Sequence, residues 1–548
     1  MLRIRLLFLL LVFAAKLTSQ TIYYDKSHDG FLVFHKIKTD PDGNILPWYS
    51  ESLGLSYDHI INLVWNFWDT MRVDMNGLPY YMNHQVWRPL NDPRGLGGDQ
   101  LNMALSSWRL LYMYNGNERV KENMKFIADY YLTHSLSPAD ALWPNIPFPY
   151  NTFIYSGYYD GDMVIGKGYA QPDKAGSFGI ELVHLYKMTG NENYLNTAIN
   201  IANTLALYTK EGDDDNSPFP FKVNVFSGEV GILKSNTGDG SIPGYSTYTT
   251  NWIGTLELFT ELIGLQKGNI SAYQKSFELI LNWMLEYPVK TNKWGPFFED
   301  IPGWSDTQIN AVTFARYMML NQELFPEWRP QVRGILDWVY EELGNNQWSD
   351  YGVTVINEQT VYRTPGNSHT SRQAAAELLY GSLSEDNRMR ENAIRQLNWA
   401  TYMVDIDGKN CYPRDEVWLT DGYGDYIRHY LRAMAADPSL APSNSNHILH
   451  STSVVSQADY APDLNKRLGG RIPDAELDIV KIYYRTFDKQ SIETIRMTTK
   501  PSRVTVLNTV LSERQDLTGE GWTWQDLDKG GVLKIRHNNG NAIKVYIE

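Results

Sequence analysis

Several aspartates stand at the start of predicted helices, in segments rich in glycine, amides and aromatic residues: Asp99, Asp173, Asp306, Asp421 and Asp425. Two carboxyl groups roughly 5 to 9 Å apart can hydrolyse a glycosidic bond, one as acid and the other as base or nucleophile. An Asp just before a helix is also the commonest N-cap, and capping is the simpler explanation for Asp99 and Asp173. Asp306 and Asp421 fit a cap and a binding face equally well. Asp425 is placed one turn inside a helix, on the face of Asp421, where a cap explains it less well.

A second set of residues suits β-elimination on a uronate. That reaction requires cations or amides to neutralise the carboxylate, and a His, Tyr or Lys as base or acid. The segment TPGNSHTSRQAAAE supplies His369, Arg372 and Gln373. Further residues could hold a carboxylate through hydrogen bonds: Lys174, Tyr248, Asn251, Gln308, Asn310 and Tyr423. The alternative roles are a solvated or capping histidine for His369 and, for Arg372, a structural salt bridge to Glu377 or Asp425.

Aromatic residues are abundant, with 17 Trp and 36 Tyr in 548 residues. Aromatic faces stack on sugar rings, although a large helical core also contains many aromatic residues. The candidates for stacking lie in predicted loops: Trp87, Trp143, Tyr158, Tyr159, Trp294, Trp304, Trp348 and Trp418. Singly, each is more often a loop anchor; their distribution over several loops favours a saccharide ligand.

Composition argues against other classes of function. The net charge of -14 disfavours a nucleic-acid partner, although local Arg and Lys can still bind an anionic substrate. Cys411 is the only cysteine, which excludes an internal disulfide and a cysteine-based zinc site. The histidines show no metal-ligand spacing, and EGDDDNSPF lacks the closing Glu of a helix-loop-helix calcium site. We expect neither a metal nor any other cofactor.

The N-terminal segment MLRIRLLFLLLVFAAKLTS combines two arginines, an apolar run of about ten residues and small residues at its end. This pattern predicts a secretory signal cut near Ser19. The apolar run is too short to favour a membrane span. We therefore expect a periplasmic or secreted protein without a membrane anchor.

Between about residues 55 and 437 the hydrophobic pattern is helical and repetitive. Segments such as LYKMTGNENYLNTAINIANTLA join an apolar helix to a more polar one through a short turn, and pairing them in order gives twelve helices. Helices rich in small residues should be inner, and they start near Asp99, Lys174, Thr249, Thr307, Ser371 and Gly422. Helices with a charged face should be outer, and they start near His59, Asn117, Glu192, Ser271, Pro326 and Asn387. The predicted fold is mainly α, an (α/α)6 toroid.

The connections indicate which end of this toroid is functional. Inner-to-outer turns are short, whereas the returning loops are long: 73 to 98, 135 to 173, 209 to 247, 288 to 305, 345 to 370 and 404 to 420. All six would lie over the N-termini of the inner helices, where the helix dipoles favour an anionic group. We place the active site at that end.

Near the C-terminus the pattern changes to period-two alternation, in runs such as IVKIYYRTF and AIKVYIE. The predicted organisation is a signal peptide over 1–19, an N-terminal arm over 20–54, the toroid over 55–437, a linker over 438–474 and a small antiparallel β domain over 475–548. We expect the β domain to pack on the toroid; an independent sugar-binding module is the alternative.

A six-repeat helical toroid with a signal peptide, aromatic-rich long loops, GNENY-type turns and a C-terminal β tail resembles the (α/α)6 carbohydrate-active enzymes of bacterial polysaccharide-utilisation systems. Within that group, TDGYGDYIRHYLRAMA and GWSDTQINAV look most like members that act on uronates, as glucuronidases or uronyl lyases. The fold hosts both hydrolases and lyases, so the reaction has to be argued from the residues.

The leading hypothesis is an exo-acting glycoside hydrolase of glucuronidase type, acting on uronic-acid-containing plant or algal oligosaccharides such as those of ulvan. Asp306 with Asp421 or Asp425 would form the carboxylate pair. The predicted binding residues are His369, Arg372, Gln308, Asp99, Gln100, Asp173, Lys174, Tyr248, Asn251, Asn310, Gln373 and Trp304. The alternative is a lyase or dehydratase with His369 or Tyr423 as acid or base. A third hypothesis is a non-catalytic glycan-binding protein.

Overall fold

The structure, a computed structural model, describes residues 23–24, 32–33, 35–82, 97–153, 156–162, 164–233, 244–297, 304–410, 424–460 and 480–547. The predicted signal peptide lies outside these residues. Among the described helices, none is long and apolar enough to cross a membrane.

Twelve helices of the described chain build the toroid, which confirms the predicted fold class. They are α1 Leu53–Asp69, α2 Gly97–Asn115, α3 Glu118–His134, α4 Pro172–Thr189, α5 Glu192–Tyr208, α6 Ile253–Gly264, α7 Ile270–Glu286, α8 Gln308–Leu320, α9 Trp328–Leu343, α10 Asn367–Ser384, α11 Arg390–Thr401 and α12 Ile427–Ala436. A single helical turn, Pro288–Thr291, follows α7. The last inner helix begins at Ile427, five residues after the predicted start at Gly422.

The even-numbered helices form a closed inner ring, in which α12 packs back against α2. Their composition explains how closely they approach. A Cβ atom on Gly176 of α4 would collide with the side chain of Thr255 on α6, and one on Gly254 would collide with the backbone of Ser177. Small residues therefore let neighbouring inner helices touch backbone to backbone, as their abundance predicted.

The short inner-to-outer turns have regular caps. Asn117, Asn191 and Asn269 precede outer helices, and their side-chain oxygens accept backbone N–H bonds at 3.1, 3.1 and 3.3 Å. Gly190 ends α4 in the left-handed region with φ of 74°. Each turn supplies hydrogen-bond partners for backbone N–H or C=O groups at the helix ends that would otherwise lack them. The connections can therefore stay short.

The long loops lie at the other end of the toroid and contain short strand pairs, of which the pair Tyr169–Ala170 with Val223–Asn224 joins two loops. These pairs are Gly161–Asp162 with Gly166–Lys167, Tyr169–Ala170 with Val223–Asn224, Ile232–Leu233 with Gly244–Tyr245, and Gly344–Asn345 with Val355–Ile356. A buried ion pair joins the loop before α4 to the loop before α6: Lys222 Nζ lies 3.0 Å from Asp162 Oδ2, and neither side chain is exposed. Gln171 Nε2 donates to the same carboxylate oxygen at 2.6 Å.

Two antiparallel sheets form the C-terminal part. The strands are β1 His447–Ser451, β2 Val455–Tyr460, β3 Val480–Thr486, β4 Ser491–Met497, β5 Arg503–Val506, β6 Thr509–Leu511, β7 Gly521–Asp526, β8 Gly531–His537 and β9 Ala542–Tyr546. One sheet has the order β1-β4-β8-β7 and the other β2-β3-β9-β5-β6. The N-terminal arm contributes two short strand pairs, Tyr23–Tyr24 with Leu32–Val33 and Lys38–Thr39 with Ile45–Leu46.

The segment predicted as a linker, 438–474, contains strands β1 and β2, so the β structure starts earlier than expected. The segments HILHS and VSQADY contain and adjoin many polar residues, so the alternation of apolar and polar residues that is typical of a strand is weak there. Strand β1 pairs with β4, more than 40 residues along the chain, which a local reading of the sequence does not reveal.

The sheets dock on the turn between α2 and α3. His447 Nδ1 lies 2.9 Å from the carbonyl oxygen of Tyr114, and the two rings stack at 3.9 Å. Tyr460 Oη donates to the carbonyl of Met113 at 2.6 Å. Gly116 has φ of 64°, and a Cβ atom there would collide with the carbonyl of Ala458.

A buried acid-base pair inside the sheets makes stability depend on pH. His537 Nε2 lies 3.3 Å from Glu493 Oε2, and Tyr484 donates to the same carboxylate at 2.9 Å. Burial alone would lower the pKa of His537, but Glu493 outweighs it and raises that pKa above the ordinary 6.5. The stabilisation from protonated His537 is complete below pH 6.5 and is lost as pH rises through the raised pKa.

We expect the free energy of unfolding to fall above pH 6.5 by at most about 1.4 kcal/mol per pH unit through this residue. Urea denaturation at a series of pH values measures the slope. The His537→Gln variant should lose this component, and an unchanged slope in that variant would contradict the assignment.

Candidate active site

Polar side chains are buried at the end of the toroid where the inner helices begin, which we call the mouth. Gln308 starts α8, Ser368, His369 and Arg372 lie in the first two turns of α10, and Asp425 lies just before α12. All five are buried. Buried polar groups need hydrogen-bond partners, so their contacts with one another define the site.

Arg372 lies at the centre of this cluster. Its Nη1 donates to Gln308 Oε1 at 2.6 Å, and its Nη2 donates to Ser368 Oγ at 3.1 Å. The same Nη2 forms an ion pair with Asp425. The salt bridge considered for Arg372 is therefore present in the structure, and its acid is Asp425.

Asp425 is fully buried and has several partners. Its carboxylate pairs with Arg428 as well as Arg372, and His429 Nε2 lies 2.9 Å from Oδ2. Burial alone would raise the pKa of Asp425, but the two guanidinium groups outweigh it and hold that pKa well below its usual range. A carboxylate that stays ionised among these partners suits positioning of Arg372 rather than proton donation.

The predicted location of Asp425 also needs correction, because it lies before α12 and not one turn inside the helix. Residues 424 to 426 form a turn, and the helix predicted to start near Gly422 starts after them. Asp421 and Tyr423, the neighbouring candidates, lie outside the described residues.

Both histidines of the cluster are neutral at neutral pH. Burial lowers the pKa of His429 to about 3, and Asp425 only partly opposes this. Burial and the charge of Arg372 lower the pKa of His369 well below 6.5. A neutral imidazole can accept a proton from a substrate, but a pKa this far below the ordinary value makes His369 a weak base.

Asp306 organises the rim of the mouth. Its Oδ1 accepts the backbone N–H groups of Trp294 and Gly295 at 2.7 and 2.9 Å, and its Oδ2 accepts Trp304 Nε1 at 2.8 Å. These three bonds fix the loop before α8 and orient the indole of Trp304, which stays 41% exposed.

Tyr248 lies beside this rim. Its ring centroid is 4.9 Å from that of Trp304, its Oη donates to the carbonyl of Lys293 at 2.7 Å, and Lys293 Nζ lies 5.0 Å from the Trp304 ring centroid. Burial raises the pKa of the Tyr248 hydroxyl above its usual range, and the nearby Asp306 adds to this. The exposed face of Trp304 is therefore a rigid aromatic surface next to a cation.

Asp173, Lys174 and Asn251 form a second cluster at the start of α4 and α6. Asp173 Oδ2 accepts Asn251 Nδ2 at 2.8 Å and lies 3.2 Å from Lys174 Nζ. Lys174 Nζ also donates to the carbonyl of Phe297 at 3.2 Å and lies over its ring. The structure thus brings these three predicted residues together.

The remaining predicted residues have other contacts. Asn310 Nδ2 lies 3.1, 3.2 and 3.3 Å from the carbonyls of residues 294, 295 and 296, so it supports that loop. Gln373 Nε2 donates to Glu377 Oε1 at 2.9 Å, away from Arg372. Asp99 and Gln100 lie in the first turn of α2, where only the backbone is described.

Several aromatic residues expected to stack on sugars are core residues instead. Trp143, Tyr159, Trp294 and Trp348 are buried, because the loops that carry them fold back on the outer helices. Tyr158 is 61% exposed, and with Trp304 it keeps the predicted accessibility. Trp87 and Trp418 lie outside the described residues.

Sequence reasoning missed three members of the site. Ser368 donates to Asp425, His429 lies beside that carboxylate, and Glu358 is a buried acid whose charge acts on Arg372. Gln308 N donates to the carbonyl of Glu358 at 3.2 Å. The i, i+4 spacing of Asp425 and His429 could have suggested their contact, whereas Glu358 lies in a loop without a distinctive pattern.

Two donors in the cluster have no hydrogen-bond partner within the described residues: Arg372 Nε and Gln308 Nε2, both buried. A buried donor without a partner costs about 1–3 kcal/mol. The amide oxygen of Gln308 accepts a hydrogen bond from Arg372, so the two donors belong to neighbouring side chains of the same cluster.

The ring of paired helices with one elaborate end defines the protein as an α/α toroid. Its sequence matches no protein-family model and no curated protein. It is similar in structure to the cellobiose 2-epimerase from Spirochaeta thermophila DSM 6192, with a TM-score of 0.51 and 14% identity over 71% of this chain and 98% of that chain.

Two further solved structures are similar. A sugar epimerase from a ruminal bacterium gives a TM-score of 0.52 at 14% identity, covering 70% of this chain and 98% of that chain. An unsaturated glucuronyl hydrolase specific for heparin gives 0.45 at 9% identity, covering 72% and 100%. These neighbours are carbohydrate-processing toroid enzymes, and at such identities the likeness shows the fold.

Proposed function

We propose that this protein is an exported enzyme that hydrolyses uronic-acid-containing oligosaccharides at their ends, as a glucuronidase-type glycoside hydrolase. The observation that carries the proposal is the pair of buried donors, Arg372 Nε and Gln308 Nε2, at the mouth. A substrate carboxylate would accept from both and gain from the positive ends of the inner helices.

The carbohydrate-processing neighbours support a saccharide substrate, and the geometry of Trp304 supports binding by stacking. Its indole N–H is fixed to Asp306 while its ring stays exposed, so a sugar ring could stack on it with little loss of side-chain entropy. Lys293 beside that ring already pairs with Asp214 and Asp215, so recognition of the uronate carboxylate rests on Arg372 and Gln308.

Hydrolysis needs a proton donor and a second carboxylate. Asp425 is already engaged by Arg372, Arg428 and His429, so in this proposal it positions Arg372. Asp421 and Asp306 remain the predicted pair. The buried Glu358 is a further candidate for either role, because its charge raises the pKa of the Arg372 guanidinium and so places it near the cluster.

Elimination is the second candidate reaction, and His369 favours it. Its imidazole is neutral and could accept a proton once substrate binding raises its lowered pKa, and the adjacent Arg372 could neutralise the uronate carboxylate. Elimination would give an unsaturated uronate, whereas hydrolysis adds water across the bond.

Mass spectrometry of defined oligosaccharides, incubated with the full-length mature protein, tests the proposal. Products that gain water from uronate-terminated substrates, and none from matched neutral ones, would support it. Rising near-ultraviolet absorbance would indicate elimination: a lyase gives fragments whose masses sum to that of the substrate, and a dehydratase gives a product that has lost one water. A product of unchanged mass and altered stereochemistry would indicate epimerisation, and tight binding without any product would indicate a glycan-binding protein; each of these outcomes overturns hydrolysis.

The Gln308→Met variant measures the contribution of the amide to substrate binding. It keeps side-chain length and removes one donor and the acceptor for Arg372, so we expect kcat/KM on uronate substrates to fall about 10–100-fold, as for a lost hydrogen bond to a charged group. The exposed Gln347 provides the control, since Gln347→Met should leave kcat/KM unchanged. An equal loss on neutral oligosaccharides would show that Gln308 does not recognise the carboxylate.

A further inference from the structure

A channel runs along the toroid axis below the mouth. It encloses about 530 Å³ and is lined by α2, α4, α6, α8, α12 and strand β1. Lys174 and Asn251 mark its upper end, and His450 and Thr452, both exposed, mark its base. Arg372, Gln308 and Asp425 do not line it, although Arg428, which pairs with Asp425, does.

Most charges along the channel are paired. Arg109 Nε lies 3.3 Å from Glu181 Oε2, and His184 Nδ1 lies 3.3 Å from the same oxygen. Glu261 pairs with Lys187 at 2.5 Å. At the upper end, Lys174 pairs with Asp173 and Arg428 pairs with Asp425. These groups neutralise each other and need no ligand.

Within the described chain, Arg316, Arg432 and Glu257 have no such ion pair. Arg316 on α8 and Arg432 on α12 line the channel and are partly exposed, and neither has a hydrogen bond or ion pair with any described residue. The Nε of Arg432 is buried without a partner among these residues. Burial lowers the pKa of Arg432 well below its usual range, and the positive charge of Arg316 adds to this. Burial lowers the pKa of Arg316 to about 10, and Glu257 opposes this effect without a direct ion pair.

A partly buried guanidinium without a counter-charge is costly, because it loses part of its hydration and gains no ion pair. The positive charge of Arg316 also disfavours the charged form of Arg432. An oxyanion between them would accept several N–H bonds and neutralise the charge, since the planar guanidinium matches carboxylate, sulfate and phosphate oxygens. The channel also has a volume in the usual range of small-molecule sites, roughly 300–1,000 Å³.

We propose that Arg316 and Arg432 form a binding site for a small oxyanion inside the toroid. The shared chemistry of the ligand is a carboxylate, sulfate or phosphate group. Glu257, Thr313 and Ser177 also line the cavity and could accept hydroxyl hydrogens, which would suit a sugar acid in preference to a free inorganic ion.

Isothermal titration calorimetry on the full chain tests the site with three probes: inorganic sulfate, inorganic phosphate and glucuronate, each at constant ionic strength set with chloride. We expect saturable binding of at least one probe. Tighter binding of glucuronate would identify a sugar acid, and equal or tighter binding of sulfate or phosphate would identify an inorganic oxyanion. Absence of binding by all three would overturn the proposal.

Single variants locate the ligand. Arg316→Met and Arg432→Met should each raise the Kd at least about tenfold, because each removes charged hydrogen bonds. Arg119→Met, at an exposed arginine whose side chain is 65% accessible, is the matched control and should bind normally. Gln308→Met should bind sulfate and phosphate normally, whereas glucuronate could also bind at the mouth through Gln308. Loss of sulfate or phosphate binding in this variant, with binding kept in Arg432→Met, would place the anion at the mouth and overturn the proposal.

Thermal unfolding without added oxyanion gives an independent readout. If Arg432 only supported the fold, Arg432→Met would lower the Tm. A binding role predicts an equal or higher Tm for this variant, because it removes a charge that has no partner in the described structure and that is disfavoured by the charge of Arg316. None of these measurements depends on catalysis, so they stand or fall separately from the proposed hydrolysis.

Discussion

Replacing Asp425 with asparagine is expected to lower the free energy of unfolding by about 3–5 kcal/mol, the usual cost of removing one partner from a buried ion pair. The change leaves Arg372 and Arg428 buried with an amide in place of their shared carboxylate. Denaturant unfolding monitored by circular dichroism measures the loss. The exposed Asp337 pairs with Arg333 at 2.9 Å, and Asp337→Asn should cost less than about 1 kcal/mol.

A double variant separates positioning from catalysis at this site. Arg372→Met added to Asp425→Asn should recover part of the lost stability, because the uncompensated guanidinium disappears with its partner. If Asp425→Asn instead folds with normal stability and has no activity, Asp425 takes part in the reaction and the positioning role is wrong.

Lys222→Met should be comparably damaging, with a loss of about 3–5 kcal/mol, because it leaves the carboxylate of Asp162 buried without its cation. Both side chains of the pair are fully buried, and Nζ lies 3.0 Å from Oδ2. The pair joins the loops before α4 and α6, so we also expect faster proteolysis within 135–171 and 209–252. Denaturant unfolding and limited proteolysis measure the two effects.

The matched control is Lys167, whose ammonium lies 3.5 Å from Asp160 on the same loop with 79% of its side chain exposed. Lys167→Met should change stability by less than about 1 kcal/mol. In the double variant Lys222→Met with Asp162→Asn, part of the stability should return. A Lys222→Met protein as stable as the parent would mean that the buried pair contributes nothing to joining the loops.

The toroid was predictable because its signals are local and repeated. Small residues mark the inner helices, and Asn or Gly marks the turns, so helix kind and order follow from composition and spacing alone. Gly176 and Gly254 show the physical reason: the inner helices approach too closely for a Cβ atom. Strands β1 and β2 were missed because their partners are distant in the sequence and their own residues are polar.

The candidate site was only partly predictable. The sequence places Gln308, Arg372 and Asp425 at one end of the toroid, but their mutual contacts depend on the closure of the ring. Glu358 was missed because nothing in its loop distinguishes a buried acid from a solvated one. Trp294 and Trp348 were assigned to the surface because loop membership does not determine burial; their rings lie in the core.

The docking of the sheets on the α2–α3 turn affects how the chain unfolds. Met113, Tyr114 and Gly116 belong to the inner ring through α2 and its turn, and they also contact Tyr460, His447 and Ala458. The sheets cannot detach without exposing the end of α2, and α2 closes the ring with α12. Loss of either part therefore removes support from the other, so the toroid and the sheets should unfold as one cooperative unit and not as two independent domains.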